Sequence, residues 1–304
     1  MPIWWNNLLG KRPATMDRIE RPIFIVGCGR SGTTLLFQLL RRHPEVRPTT
    51  GYPDGEDHIG WNEHGDCVIS GLGHSDREGG HTGYSYCLHM NEDDVNADIT
   101  KRMHRYYAHE VLGEKRGVRV LNKCPHLSNK LRYVRAIFPD ACFVHIIRDC
   151  APVVRSWEKI MEVQPGLVLY WPDTEYPCFW VMPAPAGRPK KQLFRMEQRM
   201  FPGNGVDILA EYWTETNRNI PRQLQDKPGS LLTIKYEDLC ARPMEVLGSI
   251  ATFCGLGAFE FSPKDDYGRM VVDRRTSEAE RKIQTIRVDT LDRVERVRHL
   301  FGYA

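Results

Sequence analysis

The feature that most constrains this chain is the stretch from Arg21 to Leu40, RPIFIVGCGRSGTTLLFQLL. A short apolar run, Ile23 to Val26, is typical of a buried strand, and glycines follow it at once. Leucines at helical spacing come next and stop before Pro44, which predicts a helix. A strand, a tight glycine turn and a helix in this order predict an α/β protein whose first helix begins at the loop.

The glycine-rich loop is suited to bind an anion. The free N–H groups and the positive end of the helix dipole would face a phosphate or sulfate placed there. The residues expected to contact it are Gly29, Arg30, Ser31, Gly32, Thr33 and Thr34. An ordinary turn between a strand and a helix is the structural alternative that this stretch leaves open.

The loop also departs from the best-known phosphate loop. Gly27 and Gly32 have the spacing seen in nucleoside triphosphatases, yet Thr33 replaces the lysine that should follow the second glycine. Arg30 supplies positive charge instead, and its planar fork of donors suits a tetrahedral anion better than a triphosphate with magnesium. A kinase or nucleoside triphosphatase, and a non-catalytic nucleotide-binding protein, stay open as alternatives.

A second cationic position follows a later strand. Two predicted strands, Val118 to Asn122 and Phe143 to Ile147, alternate with helices and therefore predict a parallel sheet. Arg148 lies at the end of the second strand, the edge where open parallel sheets bind ligands. Ser156, eight residues on, falls on the next predicted helix and could reach the same anion.

Two segments lack the regular patterns of helices and strands. Residues 48–90 are rich in glycine and histidine, and we expect an irregular loop that forms the acceptor site, because long loops in compact domains are often functional. His58, His64 and Cys67 lack the close spacing of metal ligands, so no metal site is predicted. Residues 164–205 are rich in proline and aromatic residues and predict a lid or insertion, or else a packed excursion of the chain.

The C-terminal third predicts a further strand and three helices. A stripe through Ile208 and Tyr212 indicates a helix, and Leu231 to Ile234 indicates a strand that leads into Tyr236. A helix from Pro243 should end at Gly255, and another should cover residues 291–301.

Composition narrows the class of protein. The net charge of +3 comes from 42 basic and 39 acidic residues, a balance that argues against nucleic-acid binding. Nine cysteines without a Cys-x-x-Cys pair indicate reduced thiols and a cytoplasmic location. No apolar run approaches the length of a membrane span. We expect a single domain over residues 1–304.

Three motifs together resemble one enzyme family. GCGRSGTTLL resembles the 5′-phosphosulfate loop of sulfotransferases that use 3′-phosphoadenosine 5′-phosphosulfate (PAPS), and Arg148 with Ser156 resembles their 3′-phosphate motif. The run YEDL-x3-P-x6-I-x2-F-x-G, which begins at Tyr236, is similar to a segment whose tyrosine lies by the nucleotide in that family. The resemblance implies a P-loop-like sulfotransferase fold, a central parallel sheet flanked by helices with irregular insertions, and PAPS as the donor without a metal.

The resemblance has two departures. Arg30 stands where many cytosolic members have lysine, which makes the loop more similar to bacterial and Golgi-type members. The C-terminal Arg-Lys-Gly segment of cytosolic members has no clear match. A basic run that could replace it comprises Arg274, Arg275, Arg281 and Lys282.

The resemblance also implies a reaction and its residues. The sulfuryl group would pass to a hydroxyl or amine of a small-molecule, glycan or lipid acceptor, with Arg30 at the phosphosulfate and Lys123 stabilising the transferring group. Glu56 is expected to be the general base, as a glutamate is in arginine-loop relatives, and His126 is the rival because cytosolic relatives use a histidine near the matching lysine. Glu63 or His58 could hold this role instead. Acceptor identity and oligomeric state stay open, with a homodimer as one option.

Overall fold

The fold was analysed in a computed structural model of the chain. It describes residues 18–49, 56–67, 90–113, 115, 117–163, 166–171, 178–183, 205–261 and 277–303. Within these ranges the strands, in chain order, are β1 (Ile23–Val26), β2 (Val46–Pro48), β3 (Arg119–Lys123), β4 (Cys142–Ile147), β5 (Gly166–Trp171), β6 (Cys178–Pro183) and β7 (Leu231–Lys235).

Ten α-helices surround these strands within the described ranges. They are α1 (Thr33–Leu40), α2 (His58–Glu63), α3 (Ala97–Tyr106), α4 (Leu131–Ile137), α5 (Cys150–Val163), α6 (Gly205–Gln223), α7 (Tyr236–Ala241), α8 (Pro243–Cys254), α9 (Ser277–Ile283) and α10 (Val288–Leu300). Short 3-10 turns cover Glu92–Asp94, Pro125–Asn129 and Pro228–Ser230, and one π-helical turn covers Tyr107–Val111.

The central sheet has five parallel strands in the order β2-β3-β1-β4-β7. In the register, Ile25 of β1 lies beside Lys123 of β3 and Val144 of β4. Parallel strands carry their C-terminal ends to one edge, so the residues that follow β1, β3, β4 and β7 meet there. This confirms the predicted fold class, a parallel sheet flanked by helices.

Strand alternation divides the core into layers. Ile23 and Ile25 pack on one face of the sheet against α1 and α8. Phe24 and Val26 point to the other face, where α3 and α4 cover them, as the two-residue period of a strand requires. A third apolar cluster joins α5, α6 and α10 and contains Tyr212. It brings α6 close to the loop after β1.

The structure corrects one prediction of local structure, the irregular loop at residues 58–63. Residues 58–63 form α2 rather than irregular loop, because Asp57 caps the helix by accepting the Gly60 N–H at 3.0 Å. Further along the chain, Asn91 caps a 3-10 turn, and Asn96 caps α3. Part of the predicted lid forms the antiparallel pair β5 and β6. Residues 50–55 and 68–89 of the predicted acceptor loop, and residues 164–165, 172–177 and 184–204 of the predicted lid, lie outside the described residues.

Candidate functional site

The glycine loop after β1 is held by hydroxyl groups from two other elements. The Gly27 N–H donates to Ser128 Oγ at 2.9 Å, and the Gly29 N–H donates to the Tyr212 hydroxyl at 2.9 Å. Burial above all raises the pKa of Tyr212, so this phenol stays neutral. These contacts fix the first part of the loop, and the Ser31 N–H donates to the Cys28 carbonyl at 3.2 Å.

The N-terminus of α1 is open to a ligand. No described side chain caps it, and Gly32 occupies the N-cap position with a φ of 95°. Thr33 and Thr34 form the first turn, whose N–H groups have no partner within a helix. The Ser31 hydroxyl is buried and has no hydrogen-bond partner among the described residues. The loop therefore combines helix-end N–H groups with hydroxyl donors.

Tyr236, the first residue of α7, packs against this loop. A Cβ added to Gly32 would lie 2.4 Å from Tyr236 Cδ2, so only glycine fits there. The Tyr236 ring also meets the Arg148 guanidinium, whose central carbon lies 4.5 Å from the ring centroid. The end of β7 thus supplies a ring that lies between the loop and the end of β4.

Two arginines come together beside the loop. Partial desolvation and the neighbouring Arg148 charge lower the pKa of Arg30, although Arg30 reaches the surface. Arg30 Nε donates to Ser156 Oγ at 3.1 Å. Arg148 is held through its backbone, since Trp213 Nε1 donates to its carbonyl at 2.8 Å. Like charges placed this close favour an anion between or beside them.

The candidate catalytic residues form a chain that starts at the loop. Lys123 Nζ lies 3.3 Å from Thr34 Oγ1 and 2.9 Å from Glu56 Oε1. The Lys123 side chain is 1% exposed and that of Glu56 is 21% exposed. A buried ammonium requires such partners, so the ion pair connects the anion loop to the segment that precedes α2.

Asp57 anchors the segment that carries Glu56. Its carboxylate is fully buried and accepts the Tyr106 hydroxyl at 2.8 Å in addition to the Gly60 amide. Asn122 Nδ2 also approaches it at 3.5 Å. Two consecutive residues of this segment, Glu56 and Asp57, therefore contact two consecutive residues at the end of β3. Sequence reasoning missed Asp57, and its position three residues before Gly60 at a helix start was the one available signal.

His126 lies in the 3-10 turn after β3 and is 5% exposed. Lys123 Nζ donates to Glu56, so this acid–base candidate lies directly on the lysine. Of the candidate metal ligands, His64 stacks on Tyr106 and Cys67 lies against Lys130.

The remaining predicted residues divide into those near the loop and those elsewhere. Ser156 accepts a hydrogen bond from Arg30. This bond joins the 5′-phosphosulfate loop, which contains Arg30, to the 3′-phosphate motif, which contains Ser156. In the predicted basic run, Lys282 pairs with Glu158 at 3.1 Å on the neighbouring helix, while Arg274 and Arg275 lie outside the described residues. The sequence does not predict that Ser128 and Tyr212 bind the loop amides. Ser128 lies in a buried turn and Tyr212 in the apolar stripe of a helix, and both patterns predict packing alone.

Comparison with known proteins places this site in a family. A family model described as "Sulfotransferase family" matches residues 22–171, which include the loop, Lys123, Arg148 and Ser156. The chain belongs to the sulfotransferase family. Its reaction is therefore sulfuryl transfer, and the kinase or triphosphatase that the loop alone left open is set aside.

Individual sulfotransferases resemble the chain over most of its length. A putative protein-tyrosine sulfotransferase of Caenorhabditis briggsae is 24% identical over 251 residues, which cover 79% of this chain and 68% of the relative. Omega-hydroxy-beta-dihydromenaquinone-9 sulfotransferase Stf3 of Mycobacterium bovis is 23% identical, with 85% of this chain and 69% of the relative covered.

A solved sulfotransferase shares the fold. The crystal structure of STF1 from Mycobacterium tuberculosis superposes with a TM-score of 0.52 at 16% identity, covering 94% of this chain and 78% of that one. None of the helices in the described part of this sulfotransferase has the length and apolar character that crossing a membrane requires.

Proposed function

We propose that this sulfotransferase transfers the sulfuryl group of PAPS to an acceptor hydroxyl with Glu56 as general base. The observation that carries the proposal is the chain from Thr34 through Lys123 to Glu56, because it connects an anion-binding loop directly to a carboxylate. Sulfuryl transfer requires a base beside the transferring group, whereas anion binding alone does not.

The donor site follows from the ends of three strands. The α1 N-terminus and Arg30 would bind the 5′-phosphosulfate, since both present donors beside the loop. Arg148 would bind the 3′-phosphate. As the nucleotide enters, the Ser156 hydroxyl would exchange its hydrogen bond with Arg30 for one to this phosphate. Tyr236 keeps Arg148 in place through its ring. No step in this scheme depends on a metal.

The chemical step is an in-line displacement. The acceptor oxygen forms a bond to sulfur while the bond from sulfur to the bridging phosphate oxygen breaks, and 3′,5′-phosphoadenosine leaves. Negative charge grows on that bridging oxygen, where Arg30 and the loop amides can stabilise it. Lys123 lies between the loop and Glu56, so its ammonium can stabilise the equatorial oxygens of the transferring group.

Glu56 is suited to accept the acceptor proton. The adjacent Lys123 ammonium favours the ionised carboxylate, the form that a base requires. Its side chain is also partly exposed, whereas that of His126 is nearly buried. An acceptor hydroxyl could therefore reach Glu56 from solvent and release its proton there.

A hydroxyl acceptor agrees with the relatives. The names of two similar proteins specify an omega-hydroxy menaquinone derivative and protein tyrosine, and both present hydroxyl groups.

The described cysteines form no disulfide bonds, which supports the proposed cytoplasmic location.

The test measures transfer of label from PAPS to a panel of phenols, sterols, sugars and long-chain alcohols. Once one acceptor is found, Glu56→Gln should lower single-turnover transfer by roughly 100-fold or more, the magnitude of a lost general base. Glu63→Gln, on the exposed end of α2, is the matched control and should leave transfer unchanged. Binding of 3′,5′-phosphoadenosine should persist in both variants.

His126→Ala decides between the two candidate bases. If His126→Ala abolishes transfer while Glu56→Gln retains it, with both proteins folded, the role passes to His126. If no acceptor is labelled and PAPS does not bind, the assigned donor is wrong.

A further inference from the structure

A second lysine, which the proposed reaction does not use, lies against a cysteine. Lys130 Nζ is 3.0 Å from Cys67 Sγ, and both residues are buried, with 1% and 0% of their surfaces exposed. A buried ammonium is costly unless a partner offsets its charge, and a sulfur beside it can do so as a thiolate. A neighbouring lysine favours the thiolate, which is the nucleophilic form of a cysteine.

This contact joins two segments of the proposed acceptor side. Cys67 follows α2, the helix that Glu56 and Asp57 precede. Lys130 immediately precedes α4 and closes the 3-10 turn after β3, the strand that ends at Lys123. A covalent bond between the two side chains would fix α2 to the chain that follows β3.

We propose that Cys67 and Lys130 are a peroxide-responsive pair that forms a reversible sulfur–nitrogen bond. The Cys67 thiolate attacks hydrogen peroxide, which gives a sulfenic acid and hydroxide, so sulfur is oxidised and peroxide is reduced. The Lys130 nitrogen then attacks this sulfur, the S–O bond breaks, and the two protons lost from the ammonium convert both hydroxide groups to water. The products are one sulfenamide and two waters for each peroxide consumed.

The closeness of the two atoms favours this second step. Sulfenic acids condense with a backbone nitrogen to give a sulfenamide, and here a side-chain nitrogen is already in contact with the sulfur. The bond would be opened again by an external thiol such as dithiothreitol.

The test is mass spectrometry of the native protein after treatment with hydrogen peroxide. The expected species has lost two hydrogens, and its tryptic digest links the peptide of Cys67 to an uncleaved peptide that spans Lys130, because trypsin does not cut after a modified lysine. Dithiothreitol should restore the separate peptides. Protein unfolded in urea before treatment should lack the link, since the link depends on the folded geometry.

Cys124 provides the decisive control, because it precedes Lys130 within the same tryptic region and also lies close to Cys67. A disulfide between the two cysteines would have the same mass. Cys124→Ser should retain the link, and Lys130→Arg should lose it and accumulate oxidised Cys67. Loss of the link in Cys124→Ser, normal cleavage after Lys130 in the linked species, or no linked species in the native protein would each overturn the proposal.

Discussion

Gly32 is the residue at which backbone conformation and close packing coincide. Residues that have a side chain rarely adopt a φ of 95°, and an added Cβ would collide with the Tyr236 ring. Because that ring also contacts Arg148, displacing it should disturb the arginine proposed to bind the 3′-phosphate.

We therefore expect Gly32→Ala to lower the free energy of unfolding by about 1–3 kcal/mol and to weaken binding of 3′,5′-phosphoadenosine. Gly113→Ala is the matched control, since Gly113 has a φ of 61° but no atom within 4 Å of an added Cβ. It should show the cost of strain alone and bind the nucleotide normally. Thermal unfolding and calorimetric titration measure both effects, and equal affinity in the two variants would contradict the packing argument.

At the scale of elements, His145 ties three of them together in the core. It lies on β4 and is fully buried. Asn217 of α6 donates through Nδ2 to the Trp213 carbonyl, so its Oδ1 faces the imidazole and accepts from Nε2 at 3.0 Å. Nδ1 then accepts from the Thr233 hydroxyl of β7 at 3.3 Å. The neutral ring satisfies both partners.

Burial lowers the pKa of His145 from 6.5 to about 4, against a smaller opposing effect of its Asn217 hydrogen bond. Below pH 6.5 the His145 imidazole is protonated in the unfolded chain but stays neutral in the folded protein. The free energy of unfolding therefore falls as the pH is lowered towards 4, and below that pH this contribution levels off. The loss should reach roughly 3 kcal/mol.

Urea unfolding between pH 7 and pH 4 measures this contribution. The carboxylates titrate in both proteins, so the free energy of unfolding should fall with pH in each. The fall should be shallower in His145→Gln than in the wild-type protein, because glutamine cannot titrate. Parallel curves for the two proteins would show that His145 does not supply this pH dependence.

The long regular elements could be predicted from sequence, and the short ones could not. The apolar run of β1 and the stripe of α6 match the structure, because their patterns reflect burial on one face. Helix α2 is only six residues long and depends on Asp57 and on contacts with α3, which no local pattern shows. The hairpin of β5 and β6 was hidden by proline and aromatic residues without a clear period.

The candidate site was predictable in its parts and not in its connections. The motifs predict Arg30, Arg148 and Ser156 as anion-binding residues, and the family match includes all three. The pairing of Lys123 with Glu56 joins residues from segments without a shared motif, so only tertiary structure shows it. The hydrogen bonds from Ser128 and Tyr212 to the loop are tertiary in the same way.

At the scale of the whole molecule, the proposed donor site depends on the order of the strands in the sheet. The strand order places the ends of β1, β4 and β7 side by side. They contribute the loop with Arg30, then Arg148, then Tyr236, and helix α6 supports two of these positions through Tyr212 and Trp213. The central claim is that this edge binds a nucleotide with separate sites for its 5′ and 3′ groups.

The most direct test is calorimetric titration with 3′,5′-phosphoadenosine and with adenosine 5′-phosphosulfate, which lacks the 3′-phosphate, in the presence of a metal chelator. Arg148→Ala should weaken the first ligand by roughly 10- to 150-fold, as expected for a lost charge-assisted hydrogen bond, and should affect the second ligand little. Arg155→Ala, whose side chain pairs with Glu162 on the same helix, should change neither affinity. Equal losses for both ligands in Arg148→Ala, or no binding of 3′,5′-phosphoadenosine by the wild-type protein, would contradict the account.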